Sequence, residues 1–329
     1  MPVPVSHVYP ELLHYTTAPG LRGIVSSGCL WATDAAFLND ASEISHFFDV
    51  RLKGVIGRTV RQRGIELAQS RDVLAKMTMK GGFDKVIDAE TNAMVRSLKE
   101  VTLSMNRPFV LSLCGASDPR VAQSGLLSQW RGYGSDGGYA IVFDTAALEN
   151  ALRSEAERHH YMHVQMGDVY YEGIDPAIQP AKPDFDELEQ IVRTGVDRML
   201  RGGTAEETEG FYQAVTSLSC LCKHWGFWEE REVRVVVVPA SQDVIDADPN
   251  SGRPSKEVRT FSRGTVEVPY VELFASTDSN SPRPLLPIRR VIVGPHRDSG
   301  DRLEQAEALL KEHGYNATVQ QSDIPYLGR

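Results

Sequence analysis

Glu230, Glu232 and Arg234 stand two positions apart at the entrance to a run of valines, Val235 to Val238. Alternate residues of a strand share a face, so the spacing predicts these three on one side and Arg231, Val233 and Val235 on the other. Two carboxylates that close repel when both are charged, and they require a partner: the arginine, a ligand or solvent. If the face borders a cleft, one acid can act on a substrate while the guanidinium orients it. On an open surface the same pattern is a charged ladder. The valine run that follows favours the cleft.

His14-Tyr15-Thr16 ends an apolar run beginning at Leu12-Leu13. Imidazole and hydroxyl groups there can grip the hydroxyls of a ribose, or the histidine can be satisfied by backbone at a strand end. Gln129-Trp130-Arg131-Gly132-Tyr133-Gly134 concentrates two aromatics, a guanidinium and two glycines in one short stretch. Trp130 and Tyr133 can stack on a planar ring, Arg131 can bind a phosphate through two bonds, and glycine lets backbone approach a ligand. The structural alternative is a turn whose aromatics plug the core.

Other clusters carry less. Asn39-Asp40 with Glu43 suits a helix cap and the helix dipole better than a metal. Cys220-Leu221-Cys222-Lys223-His224 groups soft ligands without a distant second pair, so it reads as buried thiols rather than a zinc site. Gly294-Pro295-His296 precedes a helix, where an anion can bind, but has no glycine-rich phosphate fingerprint. Neither a Walker-type loop nor a Gly-x-Ser-x-Gly elbow occurs.

These residues need elements to hold them. Residues 12–17 predict a strand, followed by a helix capped by Thr17, with Pro19 in its first turn, Leu21, Ile24 and Val25 on one face, and Gly28 as its stop. Leu30-Trp31-Ala32-Thr33 predicts a second strand, and a helix starts near Ser42. Residues 52–106 read as mainly helical with a break at Gly81-Gly82, 109–114 as a buried strand, and 115–137 as a polar, glycine-rich loop. Strands are expected at 139–144, 162–171, 230–238, 266–274 and 289–293, and helices at 145–158, 185–200, 205–224 and 301–313. Residues 241–264 read as polar loop. A return at 317–319 makes strand, helix and strand one parallel unit. The expectation is an α+β fold, a mixed central sheet with helical insertions, as a single domain over 1–329 with a C-terminal β-α-β segment at about 286–329.

Hydrophobic residues are 41% and charged residues 24% of the chain, ordinary globular values. No apolar run is long enough for a bilayer, there is no secretory signal, and the 4 cysteines do not make a disulfide scaffold, so a cytoplasmic protein with no membrane partner is expected. The net charge of −9 argues against sequence-independent duplex binding. The best local basic segment, with Lys53, Arg58, Arg61 and Arg63, reads as a solvated helical face.

In their order, these pieces resemble a widespread bacterial family, domain-of-unknown-function family 2971 (DUF2971). The resemblance rests on His14 to Thr16, Leu30 to Thr33, Asn39 to Glu43, Trp130 to Tyr133, Glu230 to Arg234, and Gly294-Pro295. It implies no activity. His14-Tyr15-Thr16, the glycine-closed helix and the next strand also resemble the start of ADP-ribosyltransferases of the diphtheria-toxin and poly-ADP-ribose-polymerase type. That resemblance implies an ADP-ribosyltransferase-like fold, NAD as substrate, and transfer of ADP-ribose to a protein or nucleic-acid acceptor. His14 would hold the NAD ribose and Glu230 or Glu232 would support ribosyl transfer. Trp31, Trp130 or Tyr133 would stack on nicotinamide, with Tyr15, Thr16, Arg131 and Arg234 completing the binding set. By analogy with such transferases, a toxin or phage-defence setting is expected. Two other readings stay open. One is a metal-dependent nuclease or hydrolase with a divalent cation on Asp40, Glu43, Glu230 and Glu232. The other is a non-catalytic nucleotide-sensing module using the same cleft.

Overall fold

The computed structural model describes residues 4–38, 41–133, 137–204, 206–247, 252–275 and 285–326, and the side chains of 41–43 are outside that description. Its strands are β1 (Glu11–Thr16), β2 (Leu30–Asp34), β3 (Phe109–Gly115), β4 (Tyr139–Asp144), β5 (Tyr161–Asp168), β6 (Tyr170–Glu172), β7 (Cys222–His224), β8 (Glu232–Pro239), β9 (Val258–Arg263), β10 (Val266–Leu273), β11 (Ile288–Val293) and β12 (Thr318–Gln321). The fold is α+β, built on a mixed 10-stranded sheet in which β12-β11-β4-β1-β3-β2-β10-β9 run side by side, β8 pairs with β3, and β5 with β8. β6 and β7 form a small parallel pair.

Local chemistry sets the early elements as expected. The Thr17 hydroxyl accepts from Gly20 N at 3.3 Å to cap the helix Ala18–Ser27, and Gly28 closes it at φ 68°. Leu21 and Val25 are its buried face. At the other end, β11 and β12 are parallel and joined by the helix Ser299–Glu312, the crossover unit read from the sequence.

The centre of the sheet is β3, and its two edges differ. β8 covers one edge from Phe109↔Val237 to Cys114↔Glu232. β1 and β2 divide the other: Leu12↔Gly115 and Leu13↔Cys114 on β1, Thr33↔Val110 and Asp34↔Phe109 on β2. Between them, Leu111-Ser112-Leu113 has no strand partner on that edge among the described residues. This parting of β1 from β2 makes the cleft described below.

The valines of β8 explain their own repetition. Val233, Val235 and Val237 pack with Leu12, Leu111, Leu113 and Ile141 on one side of the sheet. Val236 packs on the other side with Val110, Leu218 and Val192, under the helices Lys53–Leu67, Phe83–Glu100, Lys182–Leu200 and Phe211–Leu221. A strand buried on both faces reads as a continuous apolar run.

Three expectations are corrected. Residues 115–137 are not simply loop: Asp118 caps the helix Pro119–Ser124, and Leu127–Tyr133 is a second helix. Residues 241–264 hold the helix Gln242–Ala247 and β9, where every residue but Phe261 is exposed, so no alternating pattern marked it as a strand. The strand expected from Glu230 starts at Glu232. The basic segment behaves as a solvated face: Arg61 meets Asp84 at 2.9 Å, Arg63 meets Glu66 at 2.8 Å, and Arg58 lies 3.9 Å from Glu189. Among the described residues, no helix is long and apolar enough to cross a membrane.

Candidate functional site

Where β1 and β2 part, a cavity of about 220 Å³ opens, lined among others by His14, Tyr15, Trp31, Ser112, Tyr133, Lys223, Glu230, Glu232, Arg234 and Arg263. Residues far apart in the chain meet there because β3 pairs with early strands on one edge and with β8 on the other.

His14 sits in the parting. Its Nδ1 lies 3.2 Å from the Ser112 carbonyl oxygen, which can only accept, so Nδ1 carries the proton and Nε2 is left as an acceptor. Burial pushes the imidazole below its ordinary range, against the carbonyl bond that raises it, which keeps the ring neutral.

The acidic cluster is built by a turn that ends where a strand begins. His224 Nδ1 accepts from Gly226 N at 3.1 Å and caps the 3₁₀ turn Trp225–Glu230. Arg231 then takes a left-handed conformation, φ 45°, with its guanidinium 3.7 Å from the centre of the Trp228 ring. A non-glycine residue there is strained backbone, held by its surroundings. The turn takes Glu230 off the strand, so the shared face expected for Glu230, Glu232 and Arg234 is corrected: only Glu232 and Arg234 belong to β8.

Lys223, on β7, brings the two acids back together. Its ammonium is 2.8 Å from Glu230 Oε2 and 3.0 Å from Glu232 Oε2. Arg234 holds Glu232 through Nε at 2.7 Å and Nη2 at 3.0 Å, and its Nη1 donates to the Cys220 carbonyl at 2.6 Å. Burial pushes the Glu232 carboxyl up, but Arg234, Lys223 and the Ser112 hydroxyl outweigh it and hold the group at about 2. Glu232 is thus a buried anion enclosed by two cations. The Glu230 side chain keeps 22% of its surface open, against 7% for Glu232, and is the carboxylate a ligand can reach.

Other expected residues lie elsewhere. Trp130 is 1% exposed, with its indole N–H on the Ser124 carbonyl at 3.0 Å and its edge on Tyr15 at a centroid distance of 4.9 Å. It plugs the core and has no open face to stack on a ligand. Gly294 belongs to the same packing: a Cβ there would lie 1.6 Å from the Gly137 carbonyl oxygen, so this glycine allows a close backbone approach. Arg131 is exposed over the Tyr326 ring, and neither it nor Thr16 lines the cavity. Tyr15 lines it, but its hydroxyl accepts from Leu126 N at 2.8 Å. Trp31 and Tyr133 are exposed rings of the lining. Asn39 and Asp40 lie outside the described residues, as does the Glu43 side chain; among the described residues no His, Cys, Asp and Glu are grouped to hold a metal. All four cysteines are buried and outside any disulfide, and burial pushes Cys220 up to about 11 and Cys114 to about 12, so both remain neutral thiols.

Sequence reasoning missed Lys223, Ser112 and Arg263. Each left a trace. Lys223 is a lysine inside an apolar Cys-Leu-Cys segment, and Ser112 is the one polar residue in Phe109-Val110-Leu111-Ser112-Leu113. Arg263 sits on β9, within residues read as loop.

Trp130→Phe tests the core assignment. It removes the N–H bond to Ser124 and opens a small void, so a loss of about 2 kcal/mol is expected in urea unfolding, with cavity ligand affinity unchanged. A loss of affinity without a loss of stability would return Trp130 to the ligand.

Comparison with curated proteins and with solved structures finds no match. Residues 129–235, a stretch that runs from Gln129 through the cluster of Lys223, Glu230, Glu232 and Arg234, match the family model described as Protein of unknown function (DUF2971), the family whose motif order the sequence resembles.

Proposed function

We propose that this chain is an ADP-ribosyltransferase-like enzyme that takes NAD into the cavity between β1 and β2 and transfers ADP-ribose to a protein or nucleic-acid acceptor. One observation supports this above the others: His14 and Glu230, far apart in the chain, line one cavity with the exposed rings of Trp31 and Tyr133.

The chemistry suits that arrangement. The bond from ribose C1′ to the nicotinamide nitrogen breaks, its electron pair neutralises the cationic ring, and positive charge builds on the ribose as in glycoside hydrolysis. Glu230 is placed to stabilise that charge and orient a ribose hydroxyl. The His14 Nε2 acceptor suits a second hydroxyl. Glu232 acts as a positioning residue, holding Lys223 and through it Glu230. An acceptor nucleophile then bonds to C1′ and gives its proton to solvent or to Glu230.

A nucleotide-sensing module is the second reading, favoured by Lys223, which at 2.8 Å damps the charge of the acid that would do the work. A metal-dependent hydrolase has less support, because a cation would have to displace Lys223 and Arg234 from the carboxylates.

The test is incubation with NAD and candidate protein and nucleic-acid acceptors, with free nicotinamide and modified product both measured. Nicotinamide release matched by product is expected. NAD binding without release selects the sensing module, and neither binding nor release with any acceptor overturns the proposal.

A further inference from the structure

The outer wall of the cavity is a sheet arm of β2, β10 and β9, in which Thr33 pairs with Tyr270. On the cavity side of this arm, the Trp31 ring rests on Tyr270 at a centroid distance of 4.1 Å and on Phe261 at 5.5 Å. Arg263, at one end of β9, lines that cavity. Val258, at the other end, lines a second cavity of about 690 Å³. Its floor is apolar: Phe109 at the start of β3, with Pro239, Ile245, Pro254 and Val258. No described residue lines both cavities.

The chain between Gly252 and Glu257 forms neither helix nor strand, yet it is tied down. Lys256 Nζ is 2.6 Å from Glu155 Oε1, and the Ser255 hydroxyl donates to the Ala240 carbonyl at 2.6 Å. His160 N donates to the Pro254 carbonyl at 2.9 Å, and Arg253 Nη1 to the Ala156 carbonyl at 3.1 Å. Glu155 is fully buried and also accepts from the Tyr161 hydroxyl at 2.9 Å, so Lys256 is anchored on the helix Thr145–Arg158. The cavity is therefore formed before a ligand arrives, as small-molecule sites usually are.

Charge is unevenly placed around this floor. Arg107 and Lys256 line the cavity, while their partner acids, Asp34 and Glu155, are buried and do not line it. Glu257 is the one carboxylate among the described lining residues; its side chain is 72% exposed and accepts from Arg259 Nε at 2.9 Å. Lys256 is committed to Glu155, with its side chain 8% exposed. Arg107 has donors to spare. Asp34 Oδ2 takes its Nε at 3.0 Å and its Nη2, and Asp34 Oδ1 is filled by Ala36 N at 2.9 Å. Nη1 lies outside that pair, and 42% of the side chain is open. A guanidinium can serve one carboxylate through Nε and a second through its Nη1–Nη2 end.

We propose that this second cavity binds a small amphipathic monocarboxylate, its apolar body on Phe109, Ile245 and Val258 and its carboxylate on the open end of Arg107. The volume falls within the ~300–1,000 Å³ of small-molecule pockets, and apolar walls with few polar groups are their usual lining. One available guanidinium matches one negative charge. A phosphate, which carries about −1.5 to −2, would need a second cation, and Lys256 is already spent on Glu155. The assignment is independent of the reading of the first cavity.

Calorimetry on the full chain compares decanoate with decylammonium, equal in apolar length and opposite in charge. One decanoate per chain is expected, bound at least about tenfold more tightly than decylammonium. Acetate, which lacks the apolar body, is expected not to bind. Arg107→Gln is expected to weaken decanoate about 10- to 100-fold, the effect of losing a charged hydrogen-bonded pair. Because Arg107 also pairs with Asp34, Ile245→Glu tests the cavity without touching that pair. It adds a carboxylate to the lining, and is expected to weaken decanoate at least about tenfold and leave decylammonium no weaker. Urea unfolding shows that each variant is folded. Equal binding of decanoate and decylammonium, unchanged decanoate affinity in the folded variants, or no saturable decanoate binding each overturns the proposal.

Discussion

If the cavity works as proposed, Glu230→Gln is expected to lower the rate of nicotinamide release by about 100- to 1,000-fold and to leave the NAD dissociation constant within about threefold. Glutamine keeps the shape and one hydrogen-bond acceptor but loses the negative charge. The charge matters little to a ground state whose positive centre sits on the nicotinamide ring. It matters greatly once that centre moves to the ribose, where an electrostatic partner is worth about 3–4 kcal/mol. Glu230 is the acid able to give this help, since Glu232 is enclosed by Lys223 and Arg234. The substitution keeps an oxygen within reach of Lys223, so the fold is retained. Single-turnover release of nicotinamide and calorimetry of NAD on the same preparation make the measurement. A variant that keeps more than a tenth of the wild-type rate removes Glu230 from the chemistry.

Arg234→Leu costs about 3–5 kcal/mol of stability at neutral pH, a large share of the ~5–15 kcal/mol that holds a typical domain. The guanidinium is almost fully buried, makes two bonds to Glu232, and donates a third to the Cys220 carbonyl. Without it, a buried carboxylate keeps Lys223 as its main counter-charge and a buried carbonyl loses its donor. The pH dependence is a second readout. Glu232 titrates at about 2 in the fold against an ordinary 4.5, so its pairing stabilises the fold fully above pH 4.5. That stability is lost as pH falls from 4.5 toward 2, because the unfolded chain takes up the proton first. In Arg234→Leu the carboxyl is less well held, so this acid limb is shallower. Urea unfolding from pH 7 to pH 3 checks both, and a loss below about 1 kcal/mol at pH 7 would show that the pair contributes little.

What was legible in the sequence is what depends on neighbours along the chain. Thr17, Pro19 and Gly28 mark a helix by capping chemistry alone, and the structure has that helix. The valines of β8 mark a strand buried on both faces. The candidate site was half legible. His14, Glu230 and Glu232 carry chemistry that stands out by type, but strand periodicity misplaced Glu230, because no glycine at Arg231 warned of the left-handed turn. Trp130 and Tyr133 read as a pair, yet the helix Leu127–Tyr133 turns one ring into the core and the other outward. Lys223 and Arg263 stayed hidden for a different reason. Lys223 matters through the ion pairs it makes with Glu230 and with Glu232 on β8, and Arg263 through β10, which carries β9 to the edge of β2; neither relation can be read from neighbours along the chain.

The pairing of Thr33 with Tyr270 also sets the time at which the cavity comes into being. On a ribosome the chain grows at ~5–20 residues per second, so Phe261 and Tyr270 emerge roughly 10–50 seconds after Trp31. Until they do, β2 has no partner on its outer edge, and the indole has neither ring behind it. The wall can therefore be completed only after β10 has emerged. A nascent chain that has already made His14, Lys223, Glu230 and Arg234 still lacks the arm bearing Arg263. Synthesis order therefore keeps the site unassembled while the protein is being made.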